Sequence, residues 1–251
     1  MSIDPETEQI REICESLIGC KINIGFTITL QNGGGNHSGE INNCNIIGDC
    51  MEDILYPFIK EKIPTFEKGP KQASPDFYNS KIWEWELKCF SGTPGFDVSN
   101  FNSYITQLED NLEKKMYKTQ YLIFKYNLKD GIITITDFKL CNVWEIINYT
   151  GKNPISLQSK KGMWYNIRPC SFNDMNKNKT PSMFVKQICK AIDITPNNIE
   201  NKQNTIDNIY KQFYKLQYSK IIQPMNNDYL NKTSNISLIT GGVAIFPNKS
   251  P

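Results

Sequence analysis

Apolar and polar residues alternate most regularly between Ile82 and Phe90, where aromatic and branched side chains fall at every second position. A period of two predicts a β-strand. Its phase places Trp83, Trp85 and Leu87 on one face and Glu84, Glu86 and Lys88 on the other. The apolar face is expected to be buried. Upstream, Ile10, Ile13, Cys14, Leu17 and Ile18 form one stripe, and Pro5 and Glu6 suit a first turn, so residues 4–18 predict a helix. Lys21 to Leu30 alternates through Ile22, Ile24, Phe26 and Ile28, which predicts a second strand, followed by a flexible loop from Gln31 to Gly39. Ile46 to Lys62 returns to helical spacing, with Ile47, Cys50, Met51, Ile54, Leu55, Phe58 and Ile59 on its apolar side.

Downstream of the alternating strand, Phe101, Tyr104, Ile105, Leu108, Leu112 and Met116 lie at helical spacing. Tyr121 to Tyr126 reads as a buried strand, Asn127 to Gly131 as a hairpin turn, and Ile132 to Phe138 as the returning strand. Val143 to Tyr149 fits a short helix or a strand. Leu157 to Pro169 is a basic, aromatic, hairpin-like segment, and residues 173–180 form a polar loop. Helices are expected over 181–192 and 198–218, and Ile236 to Phe246 as an edge strand or a cover for the sheet. There are no internal repeats, and no linker divides the chain, so residues 1–251 are expected to form a single domain.

Composition narrows the partners. The length of 251 residues suffices for one large core. The net charge is only +2, so a nucleic-acid surface would have to be a local basic cluster. Arg11 and Arg168 are the only arginines among many lysines. None of the eight cysteines forms a Cys-x-x-Cys pair, and His37 is the single histidine, which argues against a Cys/His zinc site and for small buried thiols in a reducing cytosol. The acidic start, Met1 to Glu8, lacks the apolar run of a signal peptide, and no segment approaches the roughly 18 apolar residues of a membrane span. A cytoplasmic protein without a membrane partner is expected.

Candidate chemistry gathers around the alternating strand. Asp76 follows Pro75 and precedes Glu86 by ten residues, so the neighbouring turn or strand can return it to the Glu86–Lys88 face. Two acids and a lysine suffice for metal-dependent phosphodiester hydrolysis: carboxylates bind a hard cation, and the ammonium steadies water and phosphate charge. The same residues also fit a merely solvated strand face. The apolar setting weighs toward the site, since unpaired buried charges cost several kcal/mol. On the 46–62 helix, Glu52 or Asp53 supplies a third acid, or both lie on a solvated face. A second cluster, Lys160, Lys161 and Arg168 beside Trp164 and Tyr165, suits DNA: lysine tracks phosphates, and arginine pairs with guanine O6 and N7. A solvated hairpin rim around a core Trp fits it too. The glycine loop carrying His37 lacks a following Gly-Lys-Ser/Thr and is not read as a phosphate cradle.

Several segments in one order carry a resemblance: Ser74-Pro75-Asp76-Phe77, Glu86-Leu87-Lys88-Cys89-Phe90, Pro94-Gly95-Phe96-Asp97, Leu157-Gln158-Ser159-Lys160-Lys161-Gly162 and Ile167-Arg168-Pro169. Together with Tyr121 to Phe124 and Val143-Trp144-Glu145-Ile146, they resemble the NgoBV-like type II restriction endonucleases of the PD-(D/E)xK nuclease class, over roughly residues 45–185. The resemblance implies an α/β fold with a central mixed β-sheet flanked by helices. It implies cleavage of both strands of a short palindrome, of GGNNCC type, leaving 5′-phosphates. Asp76, Glu86 and Lys88 would be catalytic. Asp76, Glu86 and the Leu87 carbonyl would hold Mg²⁺, and Lys160, Lys161 and Arg168 would contact double-stranded DNA. A homodimer and a cognate DNA methyltransferase as genetic partner are implied as well. The alternatives are a PD-(D/E)xK nuclease of DNA repair or junction resolution, and a non-catalytic DNA-binding module.

Overall fold

The computed structural model of the chain describes residues 5–23, 25–29, 36–40, 44–71, 73–79, 83–149 and 152–219. In chain order these form α1 (Pro5–Ser16), β1 (Lys21–Asn23), β2 (Gly25–Thr29), β3 (Asn36–Glu40), α2 (Cys44–Lys62), β4 (Phe66–Lys68), β5 (Phe77–Asn79), β6 (Glu84–Phe90) and β7 (Ser99–Asn100). There follow α3 (Phe101–Asp110), a π-helical turn (Lys114–Lys118), β8 (Thr119–Lys129), β9 (Ile132–Asn142), α4 (Val143–Ile146), β10 (Leu157–Lys160), β11 (Met163–Ile167) and α5 (Pro181–Ile194). A final helix, α6, covers 202–219. No described helix is long and apolar enough to cross a membrane.

Six strands make the central sheet in the order β1-β9-β8-β6-β5-β4. β6 and β8 run parallel, joined by a crossover through α3, and the other neighbours are antiparallel. The sheet is therefore mixed. Each face carries its own core. On one, α1 and α2 deliver Ile10, Ile13, Ile47, Met51, Leu55 and Ile59 against Trp85, Leu87, Leu122 and Phe124. On the other, α3, α5 and α6 deliver Tyr104, Leu108, Phe184, Ile188, Ile209 and Phe213 against Phe90, Tyr121, Ile123 and Cys141.

This two-sided covering excludes the merely solvated strand face, the alternative reading of β6. Glu84 and Glu86, on the face opposite Trp85 and Leu87, are themselves buried. A central strand of a sheet with helices on both faces has no solvated side.

Other boundaries shift for local reasons. The strand expected from Lys21 to Leu30 is two strands in different sheets: β1 pairs with β9, and β2 pairs with β3, which occupies much of the expected glycine loop. His37 lies in β3, in register with Ile28. The turn expected at Asn127–Gly131 contracts to Asp130-Gly131, both with positive φ (52° and 70°), the two-residue geometry that matches strand twist. β8 and β9 run correspondingly further than expected. Val143 to Tyr149 is a helical turn with a capping box, Asn142 and Glu145 exchanging bonds, followed by a bridge from Ile147 to Pro169. In α2, Phe58 is 50% exposed although the helical phase places it inward. The expected element at 236–246 lies outside the described residues.

Candidate active site

Asp76 is positioned by backbone before any side chain acts. β5 lies antiparallel between β4 and β6, with Phe77 opposite Trp85 and Lys68. Asp76 stands one residue before β5, and the Gly69 N–H donates to its carbonyl at 2.7 Å. A Cβ on Gly69 would fall 1.7 Å from the Pro75 carbonyl oxygen, so only glycine permits this approach. The Asp76 carboxylate then accepts the Leu87 N–H of β6 at 2.6 Å. The acid from the turn and the Glu-x-Lys strand are thus joined by a direct bond.

Around that bond, Lys88 Nζ lies 3.3 Å from Glu86 Oε2, and the Ser74 hydroxyl donates to Glu86 Oε1. Burial pushes the Asp76 carboxyl up to about 6, against the attraction of Lys88, and neighbouring Glu86 pushes it further. Burial draws the Lys88 ammonium down, but Glu86 and Asp76 outweigh it and its pKa ends above the ordinary value. Lys88 is therefore a cation at neutral pH.

The structure separates the two α2 acids. Glu52 is partly buried, and its pKa is pushed up to about 7, first by burial and then by the charge of Asp76. Asp53 has 76% of its side chain exposed and pairs with Lys68 at 2.5 Å. Glu52, not Asp53, belongs to the charge cluster. With Asp49, Lys68, Lys71, Ser74 and Asp76 they line a cleft of about 540 Å³.

Glu84 shares the face of Glu86 but not its company. It meets Lys114 at 2.7 Å, Lys115 at 3.3 Å and the Thr119 hydroxyl at 3.1 Å. Burial works to raise its pKa, and the Lys114 and Lys115 contacts overcome it, leaving it below the ordinary value. Glu84 anchors the π-helical turn to β6.

The chemistry of the donor set accommodates a divalent cation. Glu86 is a buried carboxylate and Asp76 a half-buried one, flanking one strand backbone, and burial is the first cause of the raised pKa of Asp76, a cost that a bound cation would offset. Among the described residues, no three His, Cys, Asp or Glu side chains converge into a metal cluster. A cation here would complete its shell with main-chain carbonyl and water, as hard oxygen-seeking ions do.

The basic residues are divided. Lys160 and Lys161 are at the tip of the β10–β11 hairpin, where Lys161-Gly162 form the turn with φ of 50° and 80°. Lys160 Nζ lies 3.9 Å above the Tyr165 ring. Trp164 is buried, edge-on to Phe101 at 5.4 Å. Arg168 points to the active-site side: it pairs with Asp97 and donates to the Gly95 carbonyl at 2.5 Å. Its fork clamps the loop after β6 to the end of the hairpin.

Ser74, Gly69 and the Glu84 anchor escaped sequence reasoning. Gly69-Pro70 marks a break, and nothing local signals that Gly69 touches the backbone six residues ahead. Lys114 and Lys115 reach Glu84 across some 30 residues, a pairing without sequence signature.

Comparison with known proteins identifies the family. The family described as NgoBV restriction endonuclease matches residues 30–232. The type II restriction enzyme NlaIV of Neisseria lactamica is 30% identical over 193 residues, covering 71% of this chain and 77% of that protein. The solved NlaIV restriction endonuclease superposes with a TM-score of 0.67 at 24% identity, covering 86% of this chain and 91% of the other, and shares its fold.

Proposed function

The chain belongs to the NgoBV restriction endonuclease family and is a type II site-specific deoxyribonuclease, and from that premise we propose that it cuts both strands of a short palindrome of GGNNCC type in the presence of Mg²⁺, leaving 5′-phosphates. The observation that carries the reading is the bond from the Leu87 N–H to Asp76, which unites the acid of the turn with Glu86 and Lys88 of β6.

Asp76 and Glu86, with the Leu87 carbonyl, would hold the cation. When bound, a divalent ion supplies Lewis acidity toward the phosphate and charge for the leaving 3′ oxygen. Lys88, held as an ammonium, orients the attacking water and neutralises the phosphate instead of taking the proton. Ser74 fixes the Glu86 carboxylate by its hydroxyl bond. Glu52 adds negative charge on the cleft side. Lys160 and Lys161 track the DNA backbone from the hairpin tip, and Arg168 reads a base edge after exchanging Asp97 for guanine. Symmetric cutting of a palindrome calls for a homodimer with matching two-fold symmetry. A cognate DNA methyltransferase would protect the host's own sites.

The test is digestion of plasmid DNA of known sequence with Mg²⁺, followed by sequencing of the ends. Wild-type protein should give discrete fragments with 5′-phosphates at GGNNCC, and Lys88→Ala should give none while retaining cognate binding in Ca²⁺. Random nicking by the wild type, or full cleavage by Lys88→Ala, defeats the proposal.

A further inference from the structure

A second cavity, of about 190 Å³, lies beside Glu86 and Lys88 and is walled by Asp97, Ser99, Tyr104, Gln107, Lys115, Thr119 and Tyr121. Ser74 stands in the wall of both this cavity and the acidic cleft. The two hollows therefore meet at the catalytic strand and differ in chemistry. The cleft presents four acids against two lysines. The small cavity presents hydroxyls, an amide and two lysines, and its two carboxylates, Glu86 and Asp97, are already paired with Lys88 and Arg168.

Its volume falls below the roughly 300 Å³ at which small-molecule pockets begin. It has room for a compact polar group. One wall residue points to what enters. Tyr104 is 2% exposed, and its hydroxyl is buried with no hydrogen-bond partner. A buried hydroxyl without a partner is unfavourable, and such groups in folded proteins generally serve an incoming ligand or water. The ring is fixed by α3 on one side and by Phe184, edge-on at 6.2 Å, on the other, so the hydroxyl cannot swing to another acceptor. Gln107, one turn along α3, brings an amide to the same cavity. Lys115 supplies charge, held in place by Glu84 at 3.3 Å.

We propose that this cavity receives a non-bridging oxygen of a DNA backbone phosphate adjoining the scissile one, with Tyr104 and Gln107 as its hydrogen-bond donors and Lys115 as its counter-charge. The inference rests on the endonuclease reading and adds a phosphate subsite to it. A strand lying along β6 would present successive phosphates to Lys88 and to this hollow, so that the subsite sets the register of the cut strand. Tyr104 and Gln107 are binding residues in this scheme. They touch the substrate without touching the reacting phosphorus.

The experiment is a methylphosphonate scan. Duplexes carrying the sequence at which wild-type protein cuts are made with one neutral methylphosphonate at each position around the cut, and binding is measured in Ca²⁺. Wild type should lose affinity roughly tenfold at one phosphate next to the scissile one, the worth of a hydrogen bond to a charged group. Tyr104→Phe should bind unmodified DNA roughly tenfold more weakly and lose nothing further at that phosphate. Its melting temperature should equal or exceed that of wild type, because removing a partnerless hydroxyl relieves the free protein. Gln107→Leu should show the same loss of sensitivity at the same phosphate. Tyr104→Phe binding and cutting like wild type, or keeping full sensitivity at every phosphate, overturns the subsite. Those results would leave cleavage by wild type intact, whereas failure of wild type to cut at a defined sequence would overturn the endonuclease reading itself.

Discussion

Replacing Asp76 by Asn should abolish cleavage and yet stabilise the free protein at alkaline pH. The carboxyl has an ordinary value of 3.8 and is pushed up to about 6 in the fold, first by burial. For an acid whose folded pKa lies above its unfolded one, the folded state favours the proton. Stability from this group is present below pH 3.8, is lost as pH rises through 6, and stays lost above. Each pH unit between the two values is worth about 1.4 kcal/mol, so ionised Asp76 weighs against the fold by about 3 kcal/mol at pH 8. The asparagine oxygen can still accept the Leu87 N–H, so that bond survives. The attraction of Lys88 is already contained in the value of about 6, but the amide NH2 that replaces the carboxyl needs a hydrogen-bond partner of its own, which returns part of the gain. A net stabilisation of about 1–2 kcal/mol is expected, raising Tm by roughly 2–8 °C for a domain of this size. At pH 5, between the two values, about half of the difference should remain. Thermal melts of both proteins from pH 5 to pH 8 without divalent ions are the assay. A variant less stable than wild type at pH 8, or a gain equal at both pH values, would refute the account of Asp76 as a half-buried carboxylate burdened by desolvation.

The same geometry sets three further expectations. Divalent-ion binding should strengthen as pH rises through about 6 and level off above 7, because Asp76 must shed its proton first; Ca²⁺-induced shifts in Tm across that range would show it, and a pH-independent shift would contradict it. Gly69→Ala should lower cleavage at least tenfold, since its Cβ has to displace the Pro75 carbonyl and with it Asp76; near-normal activity would mean that the backbone there gives way freely. Glu52→Gln should raise the Mg²⁺ needed for half-maximal cleavage by roughly tenfold while Asp53→Asn stays within about twofold, and equal effects would undo the separation of the two acids.

Local pattern carried the outline of the site but not its enclosure. The period of two through Trp83 to Lys88 fixes which side chains share a face, and the β5–β6 pairing returns Asp76 to that face as its position suggests. Whether the charged face meets water is decided by α3 and the π-helical turn, both of which pack on it from elsewhere in the chain. Alternation of this kind ordinarily marks a half-exposed strand, and nothing within β6 distinguishes the buried case. Glu52 and Asp53 are adjacent, so helical spacing alone could not rank them; the burial of Glu52 beside Asp76 and the exposure of Asp53 do, while Lys68 on β4 meets both. The scarcity of arginine made Arg168 conspicuous, but its attachment to Asp97 and Gly95 depends on the loop 91–97 folding back to meet the hairpin. The β2–β3 pair was hidden for another reason: Asn36–Glu40 contains no β-branched residue and no Phe, Tyr or Trp, so it carries no period-two apolar signal.

The position of β6 also governs how the enzyme loses its function. Its backbone pairs with β5 on one edge and β8 on the other, and separate cores close over both faces. Amides in such a strand exchange with solvent only when the whole domain opens. The catalytic strand is then the last part of the chain to loosen. Moderate destabilisation at a distant site leaves each folded molecule fully competent and lowers only the number that are folded, so specific activity corrected for the folded fraction should stay constant through most of a denaturant titration.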